Sequence, residues 1–384
     1  MSDSVMDLDN FEPVARIVVI GIGGGGNNAV NRMIDENIAN VEFYVLNTDK
    51  QALATSKAPN RIVLGESVTQ GLGAGGNPEI GKEAAEQSKE EIRAVVRGAN
   101  LVFIAAGMGG GTGTGASPIV ASIAREEGAL VVAIVTRPFT FEGKTRIGNS
   151  VKGLSELKDA VDSIIIVSND KLLSAAGKAP ISEAFAESDR VLAQSVRTVT
   201  DLILLPAVIN LDFADVKSTL KGSGIALIGF GTGTGPNKAE EAAENAINSP
   251  LLEASISGAR RAICAVTCGS NVSLFEAQEC VNRIIETAGQ AIDIKFGVSI
   301  NDQLDDTLLV SVIASDFSEE FDFTTVPSYT MPTRDSVGTS VADTRAKQIE
   351  GRSHEEEEGE EEEDIQQKIL PDFLRGTFGS SDED

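Results

Sequence analysis

The chain has 384 residues, long enough for two domains of ordinary size, each with its own hydrophobic core. Its formal net charge is −26, and this acidic excess argues against nonspecific nucleic-acid binding, which needs a basic surface. The single histidine, His354, lies within the acidic run RSHEEEEGEEEED, which excludes histidine-based acid–base, nucleophilic or metal chemistry from the folded part.

The N-terminal segment and the hydropathy of the chain predict a cytoplasmic protein without membrane insertion. The first thirteen residues, MSDSVMDLDNFEP, are acidic where a signal peptide would be basic and then apolar. No stretch of eighteen apolar residues follows them. We expect residues 1–13 to form a disordered extension.

Strands and helices alternate through the first half of the sequence. A strand is predicted at VARIVVIGIG, then a helix through NNAVNRMIDEN, and further strands at VEFYVLN, LVFIAA, ALVVAIVT and DSIIIVS. This alternation is typical of an open parallel α/β sheet. The predicted fold class is therefore α/β, with a Rossmann-like parallel-sheet domain over residues 14–180.

A long amphipathic helix is predicted to connect this domain to a second one. In SEAFAESDRVLAQSVRTVTDLILLP the apolar residues recur at helical spacings until Pro206 ends the pattern. We expect a central helix over residues 181–206 and a smaller C-terminal α/β domain over residues 207–316. The predicted elements of that domain are GIALIGF, the helix KAEEAAENAIN, RAICAVTC, a helix from Leu274 to about Thr287, AIDIKFGVSI and DTLLVSVIA.

The three cysteines all fall in the predicted C-terminal domain. Cys264, Cys268 and Cys280 are an odd number without a metal-type spacing, and the alternation in AICAVTC places the first two on one strand face. Buried free thiols are expected.

The alternating pattern fails after Phe317. From Asp316 to the C-terminus, twenty acidic and six basic residues give a net charge of −14. Residues 317–364 are typical of a disordered acidic linker. Within the final segment, residues 365–384, the apolar island from Leu370 to Arg375 is typical of a peptide recognised by a partner protein.

Two glycine-rich loops each follow a strand and open a helix. The first is GIGGGGNN, from Gly21 to Asn28; the second is AAGMGGGTGTG, where six of the nine residues from Gly107 to Gly115 are glycine. Six ordered glycines would cost roughly 3–6 kcal/mol relative to alanine, and close approach of a ligand to the backbone is the usual compensation. Two loops suggest one polyphosphate held from both sides by amides and a helix N-terminus.

Two other nucleotide-binding motifs are matched only in part. The first loop fits G-x-G-x-x-G with Glu42 some sixteen residues on, so a dehydrogenase that binds a dinucleotide such as NAD is an alternative. A P-loop ending in Gly143-Lys144-Thr145 fails, because Pro138 stands where its first glycine is required. Phosphate charge would then be met by backbone N–H groups, the hydroxyls of residues such as Thr112 and Thr114, and Mg²⁺.

Together these segments resemble the tubulin/FtsZ GTPase family. GGGTGTG matches the family signature, and the similarity to the bacterial cell-division GTPases of the FtsZ type covers about residues 14–316 and resumes at Leu370 to Arg375. The other segments that carry it are GIGGGGNNAVNRM, VLNTDKQAL, GLGAGGNPEIG, FIAAGMGGGTGTGASP, RPFTFEGKTR, SNDKLL and NLDFADVK.

The resemblance implies that the chain binds GTP, with Mg²⁺ held mainly through the nucleotide phosphates. The residues implied to hold the phosphates are Gly24, Gly25, Gly26, Asn27, Asn28, Gly107, Gly109, Gly110, Gly111, Thr112 and Gly113, with Ala74, Gly75 and Gly76 near the γ-phosphate. Further nucleotide contacts are implied for Asp49, Thr136 and Pro138, for Glu142 and Arg146 at ribose and phosphate, and for Asn169, Phe185 and Asp189 in a guanine pocket.

The chemistry of guanine supports one of these residues independently. Guanine offers two adjacent N–H donors on its Watson–Crick edge, and the carboxylate of Asp189 could accept both, whereas adenine presents a ring acceptor there. The alternative for Asp189 is an ordinary solvated position on a helix.

The segment NLDFADVK supplies the candidate catalytic carboxylates. Asp212 and Asp215 are spaced i, i+3 at the start of a predicted helix, so they share one face; helix capping is the alternative and explains one of them easily. The resemblance implies that they, with Asn210, lie at the far end of the subunit and complete the site of the next subunit in a filament. Hydrolysis would then depend on assembly.

The expected function is that of a GTP-hydrolysing protein that assembles head to tail into filaments at the mid-cell division site. The island from Leu370 to Arg375 is implied to bind membrane-tethering and regulatory division proteins. A structural scaffold that binds GTP without hydrolysing it is the further alternative. Two departures from the family pattern are Gly76, where alanine is usual, and the acidic C-terminal GTFGSSDED.

Overall fold

The computed structural model describes residues 15–176, 180–204, 207–289 and 292–317. The predicted N-terminal extension, Pro206, His354, the acidic linker and the Leu370 to Arg375 island lie outside these residues, apart from Phe317 at the linker's start. The strands and helices, in chain order, are β1 (Ile17–Ile22), α1 (Gly23–Asp35), β2 (Glu42–Asn47), α2 (Lys50–Ala54), β3 (Asn60–Val63), α3 (Glu66–Thr69), α4 (Pro78–Gln87), α5 (Lys89–Val96), β4 (Leu101–Gly107), α6 (Thr112–Glu126), β5 (Leu130–Arg137), α7 (Lys144–Ala160), β6 (Ser163–Ser168), α8 (Asn169–Ala176), α9 (Ile181–Leu204), α10 (Phe213–Leu220), β7 (Gly224–Gly233), α11 (Lys238–Ile247), β8 (Ala259–Cys268), α12 (Leu274–Ala288), β9 (Asp293–Ile300) and β10 (Leu308–Phe317).

The described strands form one mixed sheet in the order β3-β2-β1-β4-β5-β6-β7-β10-β8-β9. The strands from β3 to β7 run parallel, while β10 is antiparallel to both β7 and β8. The two halves meet where the first residues of β6 and β7 pair, at Ser163 and Gly224. The predicted α/β fold is confirmed.

The parallel half of the sheet is covered on both faces, as its continuous apolar strands predict. All six residues of β1 are buried, with Ile17 and Val19 in one core and Val18, Ile20 and Ile22 in the other. The first core packs against α1 and α9, and the second against α4, α5, α6 and α7. The predicted central helix is present as α9, whose 24 residues span about 36 Å.

The start of two helices differs from the sequence expectation. α1 begins at Gly23 and α6 at Thr112, so residues assigned to glycine loops form the first turns of these helices. The sequence patterns predict no element in the segments that form α2, β3, α3, α4, α5, α7 and α8. In the C-terminal half the predicted strands and helices are present, and the three cysteines are buried and free, as expected.

No helix among the described residues is long and apolar enough to span a membrane.

Candidate functional site

The two glycine-rich segments lie side by side at the carboxyl edge of the parallel strands. β1 and β4 are paired throughout, and Ile22 lies opposite Ala106, so the helices that follow them start next to each other. The N-cap residues of these helices, Ile22 and Gly111, provide no side-chain cap. The first-turn N–H groups of α1 and α6 therefore remain available to an anion, where the helix dipoles favour negative charge.

Most of the glycines are required by contact between backbones rather than by contact with a ligand. A β-carbon at Gly26 would lie 2.2 Å from the carbonyl oxygen of Ala105, and one at Gly115 would lie 1.9 Å from that of Pro78. Similar contacts, all at 2.8 Å or less, constrain Gly21, Gly23, Gly109 and Gly113, and a β-carbon at Gly111 would lie 2.8 Å from that of Ala74. The entropy cost argued from the sequence is thus offset largely by close packing of the loops.

Four glycines show the opposite behaviour and mark open space. A β-carbon at Gly24, Gly75, Gly76 or Gly110 would meet no atom within 4 Å. Gly75 and Gly76 have φ of +57° and +76°, so side chains are disfavoured there by backbone conformation as well. These positions, with Gly25 exposed beside Gly24, are where the backbone can be approached from outside.

Polar side chains hold the glycine segments in place. With its amide oriented to satisfy its neighbours, buried Asn27 donates to the carbonyl oxygens of Gly21 and Gly23 and accepts from Asn47. Asn28, the next residue, is exposed. Asn27 therefore braces the first turn from inside, while the side chain of Asn28 faces outwards.

The second glycine segment is tied to its neighbours by residues that the sequence analysis did not single out. Thr112 Oγ1 lies 2.7 Å from Thr48 Oγ1, and Asn149 Nδ2 donates to the carbonyl oxygens of Gly76 and Gly109 at 3.2 and 3.3 Å. Thr114, one of the proposed phosphate hydroxyls, accepts from Gly109 N at 2.8 Å. The hydroxyls are thus part of the internal bonding of the loop. Thr48 lies in the quoted segment VLNTDKQAL, but nothing in the sequence marked Asn149.

The other residues expected at the phosphate end lie around this edge. Ala74 is buried against Gly111, Thr136 is the buried penultimate residue of β5 next to Gly107, and Pro138 lies close to Gly109. Asp49 caps α2 by accepting from Gln51 N at 2.8 Å and Ala52 N at 3.3 Å. One oxygen of Asp49 takes both bonds, so the structure gives this residue a capping role.

Glu142 and Arg146 are paired with each other one helical turn apart. Glu142 Oε1 accepts from Phe139 N at 3.0 Å, and its other oxygen forms an ion pair with the Arg146 guanidinium. The Glu142 side chain is 12% exposed and the Arg146 side chain 55% exposed. Arg146 therefore presents the more accessible group of the pair.

A group of aromatic and polar side chains lies near the start of α9. Phe185 packs edge-on against buried Phe139 with ring centroids 5.0 Å apart, and Phe139 stacks on Phe141 at 4.9 Å. Asn169 Oδ1 accepts from Ser188 Oγ at 2.9 Å, which joins α8 to α9. The structure thus brings the predicted pair Phe185 and Asn169 together, and adds Phe139 and Ser188, which sequence reasoning missed.

Asp189 lies one turn after Phe185 on the same face of α9. Burial raises the pKa of its carboxyl from 3.8 to about 7, and the positive charge of Arg32 offsets only part of this shift. Because burial disfavours the charged form of this carboxyl, two N–H donors from a ligand would stabilise that charged form. Asp189 is therefore part-buried, and its contact with guanine stays a prediction.

The three expected catalytic residues lie elsewhere, around the start of α10. Asp212 is the N-cap and forms a reciprocal capping box with Asp215: Asp215 N donates to Asp212 Oδ1 at 2.9 Å, and Asp212 N donates to Asp215 Oδ2 at 3.4 Å. Asn210 accepts from Ala207 N at 2.7 Å. Capping thus explains both carboxylates in the isolated chain, not only one as the sequence suggested.

This second group lies at the opposite edge of the sheet from the glycine segments. α10 flanks a depression formed with Leu130, which starts β5, and Asp162, which precedes β6. Arg197 donates to the carbonyl oxygen of Glu36 at the C-terminal end of α1, so α9 runs away from the glycine edge alongside α1. The eight residues of β5 alone span about 26 Å. A ligand on the glycine segments is therefore out of reach of Asp212 and Asp215 of the same chain.

The described residues contain no group of three or more histidine, cysteine, aspartate or glutamate side chains able to hold a metal ion.

Comparison with known proteins agrees with this geometry. The model of the Tubulin/FtsZ family GTPase domain matches residues 16–177, and that of the FtsZ family C-terminal domain matches residues 224–318. An empty FtsZ dimer from M. jannaschii is 41% identical, with 78% of this chain and 88% of that chain covered and a TM-score of 0.75. A mutant FtsZ from M. jannaschii gives 41% identity, 79% and 91% coverage and a TM-score of 0.76.

A more distant likeness shows the fold alone. The GTPgS-bound CetZ2 protofilament from Haloferax volcanii is 21% identical, with 78% of this chain and 92% of that chain covered and a TM-score of 0.66.

The family assignment follows from the matched family models and the identity to FtsZ, and the uncapped helix N-termini at the glycine edge agree with it. The chain belongs to the FtsZ family and is a GTPase of the tubulin type.

Proposed function

We propose that the chain polymerises head to tail, and that hydrolysis of GTP held at the glycine edge of one subunit is completed by Asn210, Asp212 and Asp215 of the next. The single observation that carries this proposal is the separation of the two groups. An FtsZ dimer is among the similar structures, which supports self-assembly of this chain.

Exposed apolar side chains support a contact between the two ends. Leu72, 81% exposed, and Phe141, 56% exposed, flank the glycine edge. Val208, 64% exposed, and Ile300, 53% exposed, lie around the catalytic loop, because Val208 N donates to Val298 O and Ile209 bridges the same residue. Two different apolar surfaces at opposite ends make a heterologous contact that does not close, and such contacts produce filaments.

The residues of each end would divide the chemistry between them. The first-turn N–H groups of α1 and α6 and the open backbone at Gly24, Gly75, Gly76 and Gly110 would hold the triphosphate. Asn169, Phe185 and Asp189 would bind guanine. The carboxylates of Asp212 and Asp215 would orient and polarise the attacking water. Mg²⁺ would neutralise phosphate charge.

The remaining nucleotide contacts belong to the same proposal. Asn27 would act as a brace of the phosphate loop, Asn28 and Arg146 as outward-facing contacts, and Glu142 as the partner that positions Arg146. Residues 14–180 would form the GTP-binding domain and residues 207–316 the domain that carries the catalytic loop. The filaments would form a division ring at mid-cell, with Leu370 to Arg375 binding membrane-tethering and regulatory division proteins.

Mixing two inactive variants tests hydrolysis between subunits. Asp212→Asn keeps the nucleotide end intact, and Asp189→Leu keeps the catalytic end intact. Each variant alone should hydrolyse GTP slowly at any concentration. A 1:1 mixture should recover up to about a quarter of the wild-type rate, because one interface in four joins two intact halves.

Phosphate release against protein concentration provides the second measurement. The specific activity of the wild-type chain should rise once filaments form, as judged by light scattering in the same samples. A mixture no more active than its components, together with a specific activity independent of dilution, would show that each subunit completes its own site.

A further inference from the structure

A basic pocket lies at the amino edge of the parallel strands, outside the proposed nucleotide and catalytic groups. It is an open depression of about 230 Å³ between α6, the start of β5 and α10. Three of its lining residues are cationic, Arg125, Lys217 and Lys221, and one, Asp162, is acidic. A concentration of positive charge is unusual on a chain whose net charge is −26.

The positive charges of the basic pocket are not neutralised by the folded body. Arg125 Nη1 donates to the carbonyl oxygen of Asp159 at 2.9 Å, and Lys217 Nζ lies 5.9 Å from the centre of the Phe213 ring. Among the described residues no ion pair joins Lys217 or Lys221 to a carboxylate. Asp162, the one acidic residue of the lining, is buried, and its Oδ2 already accepts from Val131 N at 3.0 Å.

The end of the folded body lies next to this pocket. Ser315 Oγ donates to the carbonyl oxygen of Thr219 in α10 at 3.1 Å, and Asp316 pairs with Arg261 at 3.1 Å. Arg261 in turn donates to the carbonyl oxygen of Ser218 at 2.6 Å. The chain therefore continues beyond residue 317 from a point in contact with the helix that carries Lys217 and Lys221.

The continuation of the chain contains the complementary charge. Residues 355–364, EEEEGEEEED, carry nine carboxylates and no basic residue. They are separated from Phe317 by 37 residues, which can span up to about 120–130 Å when fully extended, so the pocket is well within reach. Because both groups belong to one chain, their encounter does not depend on protein concentration.

We propose that the acidic run of residues 355–364 docks in the basic pocket of its own chain. The carboxylates of the run bind the Lys217 and Lys221 ammonium groups and the free donors of Arg125. This docking is independent of nucleotide and of assembly, and it holds the acidic tail at the edge of the molecule that also carries the Asp212 loop.

Carbodiimide cross-linking of the full-length, nucleotide-free protein tests the docking directly. The reagent joins an ammonium group to a carboxylate that touches it without adding a spacer, and mass spectrometry identifies the pairs. Lys217 and Lys221 should be joined to residues 355–364 at 0.01 M salt, where the screening length is about 30 Å, and about tenfold less at 1 M, where it is about 3 Å. Lys144, exposed at the opposite edge, is the internal reference and should give few such products.

Three variants and a labelling control distinguish docking within one chain from random collision and from contact between chains. Arg125→Gln removes a pocket charge that the reagent does not touch and should lower the yield at both lysines, whereas Arg97→Gln, on exposed surface outside the pocket, should leave it unchanged. Replacing the glutamates of residues 355–363 by glutamine should abolish the products without touching the folded body. An even distribution of products over all exposed lysines would overturn docking within one chain. So would a 1:1 mixture of isotopically heavy and light chains in which about half of the products joined a heavy chain to a light one, because random pairing between chains gives that fraction.

Discussion

At the scale of single residues, Asp189 shows how burial prepares a binding group. Its carboxyl lies on α9 beside Phe185, where loss of hydration disfavours the charged form and only Arg32 provides a compensating charge. Surface carboxylates such as Glu42, which pairs with Arg16, are engaged by cations of the same chain, but Asp189 keeps its capacity for hydrogen-bond donors. The two N–H groups of a guanine ring would supply the hydrogen-bond donors that this carboxylate lacks in the folded chain.

This environment predicts that GTP affinity depends on pH. The free protein has a carboxyl pKa of about 7, and guanine binds the ionised form. At pH 6 only about a tenth of Asp189 is ionised, so GTP affinity should fall about tenfold per pH unit below 7 and level off above it. Equilibrium binding of GTP between pH 5.5 and 8.5, with proton release measured by calorimetry in two buffers, checks this.

The Asp189→Asn variant is the matched control, because it keeps the shape of the side chain and cannot titrate. Its GTP affinity should be weak and nearly constant over the same pH range. A wild-type affinity that stayed constant from pH 5.5 to 8.5 would contradict the assignment of Asp189 to guanine. The stability of the free protein should depend on pH in the opposite direction to GTP affinity. The raised pKa of Asp189 stabilises the folded state at low pH, where the carboxyl is protonated, and this contribution declines as the pH rises towards 7.

At the scale of elements, the glycine segments show what a sequence pattern can predict and where it stops. The strand, the glycines and the helix were all evident from the sequence, because an apolar run and a change of period are local signals. The reason for each glycine was not local. Gly115 is required by Pro78 and Gly26 by Ala105, contacts between segments distant along the chain, and only the fold reveals them.

The same limit applies to the helices and to the site. α9 was predicted because its periodicity extends over 24 residues, whereas α4 and α5, with ten and eight residues, are too short for a helical period to stand out. Asn149 and Phe139 act through partners that lie far from them in sequence. Spacing alone therefore predicted candidate residues at both edges of the sheet and missed the side chains that pack against them.

Alanine at two glycines should separate packing from ligand binding. Gly115→Ala places a methyl group against the Pro78 carbonyl oxygen and should lower the free energy of unfolding by about 2–3 kcal/mol or more. Gly110→Ala places its methyl group in open space, so it should change the free energy of unfolding by less than about 0.5 kcal/mol while reducing GTP affinity. Urea unfolding and GTP binding of both variants check this. Equal destabilisation by the two substitutions would contradict the packing argument.

The capping box of α10 gives a second prediction at this scale, because capping and catalysis make different demands on Asp212. Asparagine caps helices as well as aspartate, so Asp212→Asn should unfold within about 0.5 kcal/mol of the wild type, while Asp212→Ala should lose about 1 kcal/mol. Both should reduce the hydrolysis rate about a hundredfold or more, because both remove the carboxylate. Urea unfolding and phosphate release above the assembly concentration measure the two effects. Full activity in Asp212→Asn would reduce this residue to a cap.

At the scale of the whole molecule, the sheet separates two incomplete ends. The parallel strands direct α1 and α6 so that the proposed nucleotide groups collect at one edge, while α9 carries the chain to the other edge before Asn210 begins the proposed catalytic loop. Each end exposes apolar side chains that a monomer leaves in water. One contact between unlike ends would cover both surfaces and complete the chemistry at once.

Charged substitutions at one end or the other should convert the filament into a defined dimer. Leu72→Glu blocks the nucleotide end and Val208→Glu the catalytic end, and both side chains are exposed, so each variant should fold normally yet remain monomeric with GTP. A 1:1 mixture retains one intact contact, between the free catalytic end of Leu72→Glu and the free nucleotide end of Val208→Glu, and should stop at dimers in sedimentation velocity. Glu66→Lys, which reverses a surface charge at α3, is the control and should still form filaments. Pairing of unlike ends allows one contact in this mixture and no second one, which is why the product should be a dimer. A mixture that remained monomeric, or single variants that still polymerised, would therefore contradict head-to-tail assembly through these ends.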